Sequence, residues 1–145
     1  MFSEKEISYL KSQRLARIAT VSSKLQPDVA PVGFEFDGEY FYIGGLQQTK
    51  TYKYKNVVGG NTKVALVIDD WESADPWNPR GIKIHGEAEI VEREVRFRPV
   101  PSERPDEIEL APYLKVKPEK KWSWGIERPV FEDGKVVMTR ETRND

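Results

Sequence analysis

The chain has 145 residues, 38% of them hydrophobic, and its 23 basic and 24 acidic side chains leave a net charge of −1. That is enough for one domain with one core, and it gives no field that would draw nucleic acid or an anionic membrane. There is no cysteine and only one histidine, His85, which excludes disulfides, thiolate nucleophiles and a multi-histidine metal site within one chain.

Residues 1–13 are expected to form a helix. Ser3 and Glu6 fit a capping box, Phe2 can staple onto Ile7, and Ile7 with Leu10 supplies a narrow apolar stripe. Residues 15–22 are short, apolar and β-branched, the pattern of a buried strand, and residues 23–26 form a turn. A second strand is expected over 29–36, turned back by Asp37-Gly38 into a strand over 39–43. On that strand Tyr40 and Tyr42 take one face, and Phe41 and Ile43 the other. Gly44-Gly45 ends it. Residues 49–57 read as a helix carrying Lys50, Lys53 and Lys55, broken by Gly59-Gly60-Asn61. Residues 63–69 are another buried strand, 71–79 a loop with two tryptophans, and 81–91 a long strand. Residues 92–104 are charged and proline-rich, a surface excursion. Residues 107–116 and 121–126 look extended, Glu132-Asp133-Gly134-Lys135 is a hairpin turn into 136–138, and 140–145 is a polar, fraying tail. Six or more short strands with two short helices predict a closed or nearly closed antiparallel barrel. No apolar run is long enough to cross a bilayer, and Met1 to Glu6 lacks the basic start and apolar stretch of a signal peptide, so a cytoplasmic protein is expected.

Four features call for chemistry. Arg17 shares a strand face with Leu15, Ala19 and Val21, and needs an anion: a protein carboxylate at an exposed barrel end, or a ligand phosphate. Thr49-Lys50 follows a Gly-Gly turn and opens the expected helix, either as an anion site or as a capped, solvated basic helix. Trp71, Trp77, Trp122 and Trp124 serve a core, an interface or a flat cofactor. His85 lies on the side of Lys83 and Glu87, a wet face or a dimer surface, while Asp69, Asp70, Glu72 and Asp75 read as a solvated loop.

The ordered series Tyr9-Leu10-x-Ser12-Gln13-Arg14-Leu15-Ala16-Arg17-Ile18-Ala19-Thr20-Val21, Pro31-Val32-Gly33-Phe34, Ile43-Gly44-Gly45, Lys50, Val64 to Asp70, Asp75-Pro76-Trp77, Arg80-Gly81-Ile82 and Trp124-Gly125-Ile126 resembles the pyridoxamine phosphate oxidase-like superfamily of split-barrel flavoproteins. Within it, the chain is most similar to the small deazaflavin-dependent members. The resemblance implies a mainly β fold, an FMN-binding split β-barrel of six antiparallel strands in a Greek-key-like order, as a single domain over 1–145. It implies the deazaflavin F420 as cofactor, with FMN as the alternative. Arg17, Ile18, Ala19, Thr20, Val21 and Ser22 would line the cofactor. Arg17 and Lys50 would hold its phosphate with help from Thr49, and Ile43, Gly44 and Gly45 would let the backbone approach. An acidic deazaflavin tail could meet Lys53 and Lys55. A homodimer with the cofactor at the interface is expected, with Trp77, Arg80 or Trp124 reaching across. The implied activity is an oxidoreductase passing hydride from reduced F420 or FMN to a small organic substrate, or else a non-catalytic cofactor-binding protein. The chain lacks the C-terminal Arg-x-His element of true pyridoxamine phosphate oxidases, so vitamin B6 oxidation is not expected. Nucleic acid and membrane are not expected as partners.

Overall fold

The computed structural model describes residues 1–95 and 106–137, and the backbone of residues 142–143. Helix α1 (Glu4–Ser12) starts with the full capping box: the Glu6 amide donates to Ser3 Oγ at 3.2 Å, and the Ser3 amide to Glu6 Oε1 at 3.0 Å. Its inward face is Glu6, Tyr9 and Leu10. Phe2, expected against Ile7, sets its ring edge-on to Phe36 and Phe41, with centroids 5.1 and 6.0 Å away.

The strands are β1 (Leu15–Val21), β2 (Pro27–Gly33), β3 (Glu35–Phe36), β4 (Phe41–Ile43), β5 (Lys63–Ala74), β6 (Trp77–Glu94), β7 (Leu110–Trp124), β8 (Phe131–Glu132), β9 (Lys135–Val136) and β10 (Thr142–Arg143). Eight of them form one antiparallel sheet in the order β2-β1-β5-β6-β7-β4-β3, with β10 also on β7. β8 and β9 make a separate hairpin. The fold is the expected mainly β split barrel, with eight strands in the sheet instead of six. The increase comes partly from residues 29–36, which break at Phe34 into β2 and β3, and from the return of β10.

Two expectations about strand extent are corrected. Residues 71–79 are the end of a long hairpin, not a loop, because Trp71 pairs with Pro79 and Ala74 with Trp77, after a bulge between Trp71 and Ser73. The segments expected over 107–116 and 121–126 merge into one strand, β7, over Leu110–Trp124, which pairs with β6 through a register shift between His85 and Gly86. A Cβ at Gly86 would stand 2.6 Å from the Lys117 carbonyl oxygen, so only glycine lets the two backbones close there. The hairpins at Asp37-Gly38 and Asp133-Gly134 form as expected. Asp37 Oδ1 accepts from the amides of Glu39 and Tyr40, and Gly38, Asp133 and Gly134 all have positive φ. The expected excursion lies largely outside the described residues, as do Met138 and most of the tail.

Alternating residues of the central strands fill the interior. Ile18, Leu66, Ile68, Ile82, Ile84, Leu114 and Val116 are fully buried with Phe41 and Ile43. Each such side chain contributes about 1.5–3 kcal/mol on burial. One charged pair is enclosed with them. The Lys121 ammonium on β7 donates to Glu6 Oε1 on α1, with side-chain exposures of 6% and 4%. Burial pushes the Glu6 carboxyl up, but Lys121, the Ser3 amide and Ser123 outweigh it and leave it below the ordinary carboxylate value.

The pair anchors α1, so removing one partner leaves a buried charge uncompensated. Lys121→Met should cost about 3–5 kcal/mol of unfolding free energy in a urea titration, and adding Glu6→Gln to it should recover part of that loss. Because the folded carboxyl titrates lower than the unfolded one, its contribution is present above the unfolded value and fades as pH falls through the folded one.

Candidate functional site

The outer face of the sheet begins at β1, where Ala16, Ile18 and Thr20 point inward and Leu15, Arg17, Ala19 and Val21 point outward. Arg17 has a protein partner: its Nη1 lies 2.7 Å from Asp69 Oδ1 on β5, with side-chain exposures of 43% and 46%. Of the two anions open to it on sequence grounds, the carboxylate is the one it holds here. Asp69 stands in register with Gly81, and Gly81 with Trp124. The Trp124 indole lies across Gly81, where a Cβ would come 2.3 Å from its Cζ2 and 3.1 Å from Asp69 Cβ. A bare backbone at residue 81 therefore brings Trp124 beside the Arg17–Asp69 pair.

The loop after β4 is the second part. Ile43 is buried in the core, and Gly44 lies under the Tyr113 ring, which would stand 2.9 Å from a Cβ there. Residues 49–57 are not one helix. Gln48–Lys50 is a 3₁₀ turn with Thr49 and Lys50 exposed, and Thr51 caps helix α2 (Tyr52–Val58) by accepting from the Tyr54 amide. Among the described residues, no hydrogen bond, ion pair or ring contact joins Thr49 or Lys50 to the other expected site residues. Helix α2 turns Lys53, Asn56 and Val57 inward, and Asn56 Nδ2 donates to Thr20 Oγ1 at 2.9 Å, which docks the helix on β1.

Lys53, expected on a solvated face or against an acidic tail, is instead 7% exposed. That overturns a tail path over Lys53. Burial lowers its pKa, and Asp28 only partly offsets this. Among the described residues no carboxylate is hydrogen-bonded to it. A Cβ on Gly45 would lie 3.1 Å from Lys53 Nζ and 2.4 Å from Gln48 Oε1, a buried oxygen with no partner. Gly45 thus lets the Gln48 amide oxygen and the largely buried Lys53 ammonium lie close against the loop backbone. An anion such as a phosphate would suit the ammonium, whereas the unpartnered amide oxygen calls for a donor.

The remaining expected residues are committed to local contacts. Arg80 is bidentate to Asp70, at 3.0 Å from Nε and 2.7 Å from Nη2, and its guanidinium stacks 4.9 Å from the Tyr9 ring centre. Tyr9 OH donates to Asp70 Oδ1 at 2.9 Å. Arg80 holds the Asp70 carboxyl below its usual range, and burial followed by Asp70 pushes the Tyr9 hydroxyl well up. This network ties α1 to the β5–β6 hairpin. Trp77 packs against Trp71 and Phe131. Ser22 accepts from the amides of Lys24 and Gln26 in the β1–β2 turn. His85 is exposed against Trp122, with ring centres 4.7 Å apart.

A family model described as pyridoxamine 5'-phosphate oxidase matches residues 3–124. The chain is 36% identical over 131 residues to a 5a,11a-dehydrotetracycline/5a,11a-dehydrooxytetracycline reductase of Streptomyces rimosus, covering 87% of this chain and 84% of that one. The fold is similar to that of General Stress Protein 26 from Bacillus anthracis, with a TM-score of 0.65, 16% identity and 97% of both chains covered. It is also similar to that of an F420 reductase, with a TM-score of 0.55, 22% identity, and 75% of this chain and 89% of that one covered.

A buried ammonium without an anion costs stability, so Lys53→Met should leave the unfolding free energy of the ligand-free protein unchanged or raise it. Chemical denaturation checks this. A fall comparable to that of a core truncation would mean that Lys53 serves the fold and not a ligand.

Proposed function

The chain belongs to the pyridoxamine 5'-phosphate oxidase family, and from that premise we propose that it is a reductase that uses F420, or alternatively FMN, to reduce a carbon–carbon double bond in a flat, multi-ring substrate. The observation that carries this reading is the 36% identity to a reductase of tetracyclic intermediates over most of both chains. A fold neighbour that is an F420 reductase favours the deazaflavin over FMN. When bound, the cofactor supplies the hydride.

The chain's own residues would bind and orient. Lys53 would take the phosphate beside Gly45, where an anion restores what burial costs the ammonium. Arg17, on the outer face of β1, would meet the cofactor there once it leaves Asp69, with Thr49 and Lys50 exposed in the loop after β4. Ile18 and Thr20 face the core, so among the β1 residues Ala19 and Val21 are those able to touch a ring on the outer face.

A second copy of the chain would cover that face. Leu15 is 56% and Val29 69% exposed beside the half-buried Ala19, Val21, Ala65 and Val67, and an isologous dimer is the commonest way to bury such a face. Light scattering should give twice the chain mass at micromolar concentration. A monomer that still binds cofactor would remove the shared interface.

Titration with F420 and FMN, followed by turnover of a dehydrotetracycline-type substrate with each reduced cofactor, tests the assignment. Tighter binding of FMN overturns the choice of F420, and binding without turnover leaves a carrier. Arg17→Ala should weaken cofactor binding by about 2 kcal/mol, the scale of a charge-assisted contact. Asp69→Asn should strengthen it by releasing Arg17. No change in either variant would leave Arg17 as a partner of Asp69 alone.

A further inference from the structure

The end of the β5–β6 hairpin carries a group of aromatic rings that the fold does not bury. Trp71 is 67% exposed, Trp77 47% and Phe131 42%. The Trp71 and Trp77 rings meet edge to face, 6.1 Å apart at 81°, and Phe131 from the β8–β9 hairpin lies 5.4 Å from Trp77 at 44°. Their mutual contacts hold the rings in place and leave open faces. Contiguous exposed aromatic surface of this kind signals a binding surface.

Its position is the second observation. Trp71 is two residues beyond Asp69, on the same face of β5 by strand alternation. Asp69 carries Arg17 on one side and lies against Trp124 on the other. The aromatic corner therefore continues the outer-face strip that holds the candidate cofactor residues.

Its shape and rim indicate the occupant. Rings set at 81° form a corner, which receives the face of one ring system and the edge of another and does not match a flat protein surface. The rim bears Glu72, hydrogen-bonded to the neutral Asn78, and the exposed Asp75, and neither has an ion-pair partner among the described residues. An isologous contact centred on this corner would bring these carboxylates near their own copies. The same charges favour a ligand that is neutral or cationic.

We propose that Trp71 and Trp77, with Phe131 behind them, form the subsite that holds a flat, multi-ring organic molecule, neutral or cationic, next to the cofactor residues. The proposal rests on the reductase reading above, since the subsite would present such a molecule to the reducing ring.

The test uses the full chain, with and without F420, and two flat tricyclic probes: cationic 9-aminoacridine, followed by its own fluorescence anisotropy, and anionic anthraquinone-2-sulfonate as its competitor. 9-Aminoacridine should bind and the sulfonate should displace it only weakly. Trp71→Ala and Trp77→Ala should each weaken the probe by about ten-fold or more, the scale of losing one stacked ring. Trp71 is exposed and outside the expected cofactor residues, so thermal midpoint and F420 affinity should hold in Trp71→Ala. Probe binding that is equal in the variants overturns the subsite. So does direct competition between 9-aminoacridine and F420, which would place the rings in the cofactor's own site. A change of mass by light scattering in either variant overturns it in favour of a second copy. Failure of the unaltered protein to bind either F420 or FMN defeats the reductase reading, and the probe result still decides the subsite on its own.

Discussion

Strand β6 must pair along both of its edges and bend while doing so. It is bonded to β5 on one side and β7 on the other over residues 81–87, within the same stretch that carries the core residues Ile82 and Ile84. Gly86 lets the β7 backbone close at the register shift, and Gly81 lets Trp124 lie flat. A side chain at residue 86 would meet the Lys117 carbonyl, and one at residue 81 would push Trp124 off Asp69. The core, the barrel's curvature and the aromatic side of the candidate site all pass through these two positions.

Three cations separate by environment more than by chemistry. Lys121 is buried and fully engaged by Glu6. Arg17 is half-exposed and shares a carboxylate with water. Lys53 is buried and, among the described residues, hydrogen-bonded to no carboxylate. An exposed pair such as Arg17–Asp69 contributes at most about 1 kcal/mol and can be exchanged for another anion at little cost. The buried Lys121–Glu6 pair cannot be exchanged in this way, which fits a role in the fold. Lys53 lies between these cases, largely shielded from water and held against the loop backbone at Gly45.

The sequence made the local turns and the barrel class legible because each has its own chemistry. Asp37-Gly38 and Asp133-Gly134 are hairpin pairs with positive φ at Gly38, Asp133 and Gly134, and Ser3 with Glu6 is a capping box. Residues 71–79 misled because acids, prolines and tryptophans usually mark a loop, whereas here paired long strands carry them. Pro79 can sit in such a strand at a position that needs no amide donor. The site was only partly legible. Lys50 stood out for following Gly-Gly, yet the signal for Lys53 was present: it is three and four residues before Asn56 and Val57, on the face α2 turns inward. The partner of Arg17 was open because a strand pattern gives a side chain's face but not the charge across from it. Asp69 is distant in sequence, and only the β1–β5 register puts it within reach.

The contact between Glu6 and Lys121 spans 115 residues, and Ser3 also bonds Glu127 across 124. Helix α1 leaves the ribosome well before Lys121 and Glu127 do. At about 5–20 residues per second, Glu6 waits many seconds for Lys121. The ion pair therefore cannot close until residue 121 has been made, however early the helix forms. The many non-local strand pairings add to this, since loop closure over long separations slows folding. A nascent chain stalled before residue 121 would hold neither the ion pair nor the last turn of β7, and would present the inward face of its first helix to chaperones.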